Sequence, residues 1–381
     1  MSNTQAMREP LLLTPGPLTT SASVKQAMLR DFGSRDASFI ALTHEVKERL
    51  THLANGTDTH VCVPVQGSGT FAIEATLDTL LGADSKALVL INGAYGERMV
   101  KILDYQQRAH SELRWTEDQP VSAEQVHATL RADGALTHVL VVHCETTSGI
   151  LNPVPEIAAI CQALEISLIV DAMSSFGALD LDVCKLGIDA VVASSNKCLE
   201  GAPGLGFAII REAVLATCAG QAQSLSLDLY DQWQGFARNN QWRFTPPTHV
   251  LAALHQALVE HEAEGGITGR GARYRHNMEI LVAGMRKLGF RPLLPASLQA
   301  PIIITFHMPA QPAFDFQVFY DQLASLGFVI YPGKLTVANS FRIGCIGRLG
   351  EAEMRGALAA IGATLTEMNV NLNLGNKGKA A

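Results

Sequence analysis

The chain has 381 residues, of which 48% are hydrophobic and 17% charged, with a formal net charge of −7. That is enough apolar material for one large core and a smaller second one, and it excludes a generally disordered chain. A mildly acidic balance with no Lys/Arg-rich run also excludes the electrostatic footprint of a nucleic-acid binder.

Residues 1–20 read as an irregular arm punctuated by Pro10, Pro15, Gly16 and Pro17. From Ser38 to Asn55 the apolar residues Phe39, Leu42, Val46, Leu50 and Leu53 follow a helical period, and Gly56 stops it. A strand-then-helix rhythm then begins. VCVPV (61–65) precedes a helical stretch from Phe71 to Leu81, and ALVLI (87–91) precedes another from Gly96 to Gln107. HVLVVH (138–143), ISLIVDA (166–172), IDAVVAS (188–194) and GFAIIR (206–211) are further apolar, β-branched runs. Continuous apolar strands alternating with helices predict an α/β fold, a mainly parallel sheet covered on both faces. The rhythm changes at Pro246-Pro247, where helices are expected over 248–263 and 267–288 with Gly265-Gly266 between them. Short strands (301–306, 328–331, 340–344) and helices (315–326, 350–367) follow. The expected division is an arm (1–20), a large domain (21–264), a small α+β domain (265–368) and a polar, loose tail (369–381).

The seven cysteines are irregularly spaced and form no C-x-x-C pair, so free thiols in a reducing compartment are expected rather than disulfides or a zinc site. Cys198 invites reading as a reactive thiol or as a small buried filler. The N-terminal stretch has no basic segment leading into an apolar one, and no apolar run approaches the ~20 residues of a membrane helix. A soluble cytoplasmic protein, with neither membrane nor nucleic acid as partner, is the expectation.

Three features carry chemistry. QGSGTFAIEA (66–75) lies between a strand and a helix, where Gly67 and Gly69 permit close backbone approach and Ser68 and Thr70 can donate to an anion. The same residues match G-x-G-x-x-A, a dinucleotide pattern, but the next strand ends in Ile91-Asn92-Gly93, without the acid a ribose needs. Asp171 ends the apolar run LIVD. It either caps the following Ser174 and Ser175 or meets a cationic partner such as a protonated pyridine nitrogen. Lys197 follows another apolar strand and is flanked by small residues and by Gly201, Gly204 and Gly206. It reads as a surface lysine or as an amine nucleophile with a lowered pKa. Asp171 and Lys197 both stand at C-terminal strand ends, where ligand sites gather in open α/β sheets.

With LLLTPGPLTTS, DFGSRDASF, VQGSGTFAIEA, NGAYGERM, HCETTSGILNP, IVDAMSSFGA, SSNKCLEGAPG, RFTPPTHV and NSFRIGCIG in this order, the chain resembles the class V branch of fold-type I, pyridoxal 5'-phosphate-dependent aminotransferases over residues 10–368. The resemblance implies a large domain with a seven-stranded type of sheet, a homodimer, and a Schiff base between the cofactor and Lys197. It implies that Asp171 pairs with the pyridine nitrogen, and that Tyr95 lies on the ring face. Ser68, Gly69 and Thr70 would hold the cofactor phosphate, Thr147 would approach the phenolic oxygen, and Thr245 would reach the partner subunit's phosphate. Arg342 would bind the substrate anion, a task suited to a guanidinium fork. Gly16, Ser34 and Arg35 would line the substrate end. Glyoxylate aminotransferases and cysteine desulfurases share this branch. The latter need a mobile cysteine loop, for which Cys345 is the available residue.

Overall fold

A computed structural model describes residues 9–336 and 338–372. The arm opens with β1 (Leu11–Leu12), and α1 (Ala22–Ala27) and α2 (Ala37–Leu53) follow. The sheet elements then alternate: β2 (His60–Gln66), α3 (Gly69–Leu80), β3 (Lys86–Ile91), α4 (Ala94–Tyr105), β4 (Ala109–Arg114), α5 (Ala123–Ala132) and β5 (His138–Val142). A short hairpin, β6 (Cys144–Glu145) and β7 (Ile150–Leu151), leads to α6 (Val154–Ala163), β8 (Ser167–Asp171), β9 (Ala190–Ser194) and β10 (Leu205–Arg211). Helices α7 (Glu212–Leu215), α8 (Leu229–Asn239), α9 (Thr248–Ala263) and α10 (Gly266–Lys287) come next. The last part holds β11 (Ile303–His307), α11 (Phe316–Ser325), β12 (Phe328–Val329), β13 (Tyr331–Pro332), β14 (Ser340–Gly344) and α12 (Glu351–Glu367).

The central sheet has seven strands in the order β2-β10-β9-β8-β5-β3-β4. The pairs among β4, β3, β5, β8 and β9 are parallel, and β10 alone runs antiparallel to both neighbours. Inner strands such as β8 and β9 are buried along nearly their whole length, as the apolar runs predicted. The strand that the hydrophobic pattern did not announce is β4: its AHSELR is polar because it forms the sheet edge, where every residue is exposed or half-buried.

One apolar cluster fills the face toward α2, α6 and α9, and a second fills the face toward α3 and α4. A third core unites α10, α11, α12 and the three-stranded sheet β11-β14-β13, with Phe290, Phe306, Phe319 and Phe341 packed at ring separations of 5.4–6.4 Å. Residues 10–13 were expected to be irregular. Instead β1 pairs in parallel with β12, and Leu13 is buried in that third core. The Gly344 N–H donates to the Leu13 carbonyl at 2.9 Å, and a Cβ at Gly344 would lie 2.5 Å from the Thr14 carbonyl oxygen. The arm is therefore fixed, and it delivers Gly16 to the end of the central sheet. The terminal stretch 373–381, most of the expected tail, lies outside the described residues. No helix among the described residues is long and apolar enough to cross a membrane.

Candidate active site

The C-terminal ends of β2, β3, β5, β8 and β9 meet at one edge of the sheet, and each contributes a group. From β9, Lys197 stands in the connection 195–204. Its Nζ donates to the Gly16 carbonyl at 3.1 Å. A Cβ on Gly16, where φ is +113°, would fall 2.6 Å from Lys197 Cδ, so the lysine stem runs directly against bare backbone. Burial lowers the Lys197 amine to about 8. The positive charges of Lys334 and Arg98 push the same way, while Cys198 and Asp171 oppose. A substantial neutral fraction at near-neutral pH gives this lysine the nucleophilic and proton-carrying capacity that a surface lysine lacks.

From β8, Asp171 is 5% exposed. One carboxylate oxygen accepts the Met173 N–H at 2.9 Å, and no cation among the described residues lies within ion-pair distance. Burial raises this carboxyl to about 6, against the Met173 bond and the attraction of Arg98 and Lys197. A carboxylate desolvated in this way at a strand end fits a cationic partner such as a pyridine N–H. Beside it, burial holds His143 neutral, near pKa 4, with Nδ1 3.0 Å from Ser175 Oγ.

From β2, Ser68 is the N-cap of α3, yet its side chain makes no capping bond. The first amides of α3 therefore remain available to an anion. Gly69 packs so tightly against the β8 connection that a Cβ there would lie 2.3 Å from Met173 Sδ. Thr70 Oγ1 accepts from Arg98 Nη1 at 3.0 Å, which adds a full positive charge to the cup. These features fit a phosphate at α3 and a ring nitrogen at Asp171.

From β3 and β5 comes a set of hydroxyl and carboxylate groups organised by Glu145, a residue the sequence reasoning did not single out. Glu145 is fully buried, and burial raises its carboxyl. It accepts the Thr147 N–H and Oγ1–H at 3.1 and 2.7 Å and the Tyr95 N–H at 3.1 Å, and Thr147 Oγ1 accepts the Ala94 N–H at 2.9 Å. Glu145 thus locks Thr147 to the start of α4 and fixes the backbone of Tyr95. Arg98 lies over the Tyr95 ring, with Cζ 4.9 Å from its centroid. Its spacing of three residues from Tyr95 on a helix was a legible signal.

Arg342, on β14, is 2% exposed and bridges the two parts of the chain. Its Nε donates to the Pro332 carbonyl at 3.1 Å and its Nη1 to the Thr146 carbonyl at 2.9 Å, in the turn that carries Thr147. Gly16, Ser68, Gly69, Thr70, Tyr95, Thr147, Asp171, Lys197 and Arg342 therefore gather around one sheet edge. Ser34 and Arg35 are not tied to them by any hydrogen bond or ion pair. They sit half-buried and exposed in the turn before α2 and make no hydrogen bond or ion pair. Thr245 is exposed on the approach to α9.

Cys198 is a filler. It is fully buried, its Sγ donates to the Ser174 carbonyl at 3.2 Å, and burial pushes its thiol up to about 12. Cys345 is equally buried, its N–H bonded to the Ile302 carbonyl at 2.9 Å. It is not the mobile cysteine that a desulfurase requires.

A lysine and a carboxylate on neighbouring parallel strands, with an anion cup at the adjacent helix, define a pyridoxal phosphate enzyme. Residues 20–323 match the family model described as aminotransferase class-V, and the chain belongs to that family. Its cofactor is pyridoxal 5'-phosphate and its activity is amino transfer. Among named relatives, 2-aminoethylphosphonate–pyruvate transaminase 1 of Cupriavidus pinatubonensis is 52% identical over 373 residues, covering 98% of this chain and 99% of that protein. The 2-aminoethylphosphonate–pyruvate transaminase of Burkholderia thailandensis is 54% identical over 363 residues, covering 95% and 98%. In fold, the chain is similar to ureidoglycine-glyoxylate aminotransferase from Bacillus subtilis, with a TM-score of 0.89 and 24% identity over 99% of this chain and 97% of that one. It is likewise similar to pyridoxamine-pyruvate aminotransferase from Mesorhizobium loti, with a TM-score of 0.87 and 24% identity over 97% and 95%.

Proposed function

We propose that this protein transfers the amino group of 2-aminoethylphosphonate to pyruvate, giving phosphonoacetaldehyde and L-alanine, a step of phosphonate catabolism. The observation that carries this reading is identity above one half, over nearly the full length of both chains, to relatives bearing that name.

Bound pyridoxal phosphate supplies the electron sink for the carbon that loses a proton. The chain's own groups do the rest. Asp171 holds a proton at the ring nitrogen, and Tyr95 covers the ring. Ser68, Gly69 and Thr70 take the phosphate through a hydroxyl, backbone N–H groups and the helix end. Thr147, locked by Glu145, faces the phenolic oxygen. Lys197 Nζ, lowered to about 8, would hold the cofactor and serve as the group that accepts and donates the proton beside it. Arg342 takes the anionic end of each substrate in turn. Gly16, Ser34 and Arg35 belong to the substrate end in this reading.

The reading includes a homodimer working in the cytoplasm, with Thr245 reaching the partner's cofactor phosphate. The exposure of Thr245 and of Phe244, which is 43% exposed, supports a surface that a second copy covers. It also divides the chain into a large domain ending at 264 and a small domain from 265 to 368.

The test is an amino-donor screen with pyruvate as acceptor. Production of alanine from 2-aminoethylphosphonate supports the assignment. No alanine there, with brisk turnover of serine or alanine against glyoxylate, overturns it.

A further inference from the structure

We propose that Lys334 is a specificity-determining cation of this site: with Arg342 it takes the second negative charge of a phosphonate, and so separates a phosphonate amino donor from a carboxylate one. The inference rests on the functional reading above. It concerns a residue that neither the sequence motifs nor the phosphate cup accounts for.

The β13–β14 hairpin carries both cations. Tyr331 pairs with Arg342 and Pro332 with Phe341, and the Gly333 N–H continues the ladder to the Ser340 carbonyl at 3.0 Å. Any Cβ at Gly333 would lie 2.3 Å from that carbonyl oxygen, so only glycine lets the chain close here. Lys334 is the next residue. Two positions on, the Thr336 N–H and Oγ1 donate to the Glu117 carboxylate at 2.9 and 3.2 Å. Lys334 is thus held between one anchor on β14 and another on the central-sheet part of the chain.

Its Nζ lies 5.3 Å from the centroid of Tyr95, on the ring that Arg98 also covers, and its charge reaches Lys197. Among the described residues no carboxylate lies within ion-pair distance of Lys334. The other cations near Tyr95 are held in place by hydrogen bonds within the protein. Arg98 is bonded to Thr70 at the phosphate cup, and Arg342 is tied to the Pro332 and Thr146 carbonyls.

The chemistry of the two substrates then divides the work. A carboxylate carries one charge, and the single guanidinium of Arg342 balances it. A phosphonate has three oxygens and a second ionisation, which leaves one charge and one acceptor over. A compact ammonium on a flexible four-carbon stem, exposed at the mouth of the site and without an acidic partner, supplies that balance.

The experiment uses the holoenzyme in single-turnover half-reactions, followed by the cofactor's absorbance change, with 2-aminoethylphosphonate and separately with L-alanine as donor. Lys334→Ala and Lys334→Gln are expected to lower kcat/KM for 2-aminoethylphosphonate by about 10- to 100-fold, mainly through KM. The alanine reaction should fall by less than about 3-fold, and any displacement of its pH profile should be upward, because the Lys334 charge lowers the Lys197 amine. Lys334→Arg should recover most of the loss. Equal losses for both donors would overturn the inference, because Lys334 would then act through the Lys197 amine rather than on the phosphonate. Unchanged phosphonate kinetics would overturn it as well. Wild-type protein inert toward 2-aminoethylphosphonate would instead overturn the functional reading, and this inference with it.

Discussion

Replacing Asp171 with asparagine should strengthen the cofactor-free fold while disabling the enzyme. Burial raises the Asp171 carboxyl from 3.8 to about 6 in the folded chain. A folded pKa above the unfolded one means that between those values the folded state holds a proton the unfolded state has released. The stabilisation linked to this residue is therefore present below pH 3.8 and lost as pH rises through 6. Above that the fold carries the full cost of a buried anion. The difference is 6 − 3.8, about 2 units, or about 3 kcal/mol at 1.36 kcal/mol per unit. Asparagine keeps the shape, its oxygen still accepts the Met173 N–H, and it has no charge to desolvate. Allowing for burial of the new amide, the variant should exceed the parent by about 1–3 kcal/mol at pH 7.5, and the advantage should vanish near pH 4. Urea unfolding of the cofactor-free proteins at both pH values and one protein concentration measures this. A variant less stable at pH 7.5, or a difference that ignores pH, would refute the burial argument. If Asp171 pairs with the ring nitrogen as proposed, amino transfer by the same variant should fall by about 10²- to 10⁴-fold.

Lys197→Ala should abolish both amino transfer and the visible absorbance of bound cofactor, read by spectroscopy and by alanine formation. Arg342→Gln should lower kcat/KM for both donors by roughly 100-fold, since it removes the anion's partner in the proposed reading and frees the Pro332 and Thr146 carbonyls. Gly69→Ala places a methyl against Met173 Sδ and should weaken cofactor binding by about tenfold or more, with partial recovery in a Gly69→Ala/Met173→Ala double variant when titrated by equilibrium dialysis. Glu264 is pushed up by burial but pulled further down, to about 2, by Arg273 and Arg270. Its stabilisation is thus present above pH 4.5 and lost as pH falls toward 2. Glu264→Gln, which leaves the 1%-exposed Arg270 short of a partner, should cost about 3 kcal/mol at pH 7 and progressively less in acid, as measured by denaturant titration.

Much of this architecture is visible in the amino-acid order because the inner strands are buried on both faces and so must be apolar. The edge strand β4 escapes that logic: half of its side chains face solvent, and AHSELR shows no apolar run. The reversed direction of β10 was available to read, since residues 195–204 are too few for a crossover helix between parallel strands. In the site, Asp171 and Lys197 are legible because an ionisable group directly after an apolar strand is anomalous. Glu145 is not, because its burial becomes tolerable only through donors at Tyr95 and Thr147 that the fold assembles. Lys334 gives no signal at all, since its position depends on the Gly333–Ser340 closure and on Glu117. Ser34, Arg35 and Thr245 have no hydrogen bond or ion pair to the site within one chain.

Because β10 returns beside β9 instead of crossing the sheet, the stretch bearing Lys197 joins two adjacent strands and is packed like interior. Ser195 Oγ donates to the Leu205 carbonyl, Gly201 N–H to the Ser195 carbonyl, and the Cys198 carbonyl accepts Arg270. Sequence insertions, protease nicking and chain rearrangement concentrate in surface loops, and Gly134, with no atom within 4 Å of its would-be Cβ, is a place that can absorb them. The ten-residue span after β9 cannot. For anyone splitting, permuting or grafting onto this scaffold it counts as a third strand between two others, despite its lack of regular structure.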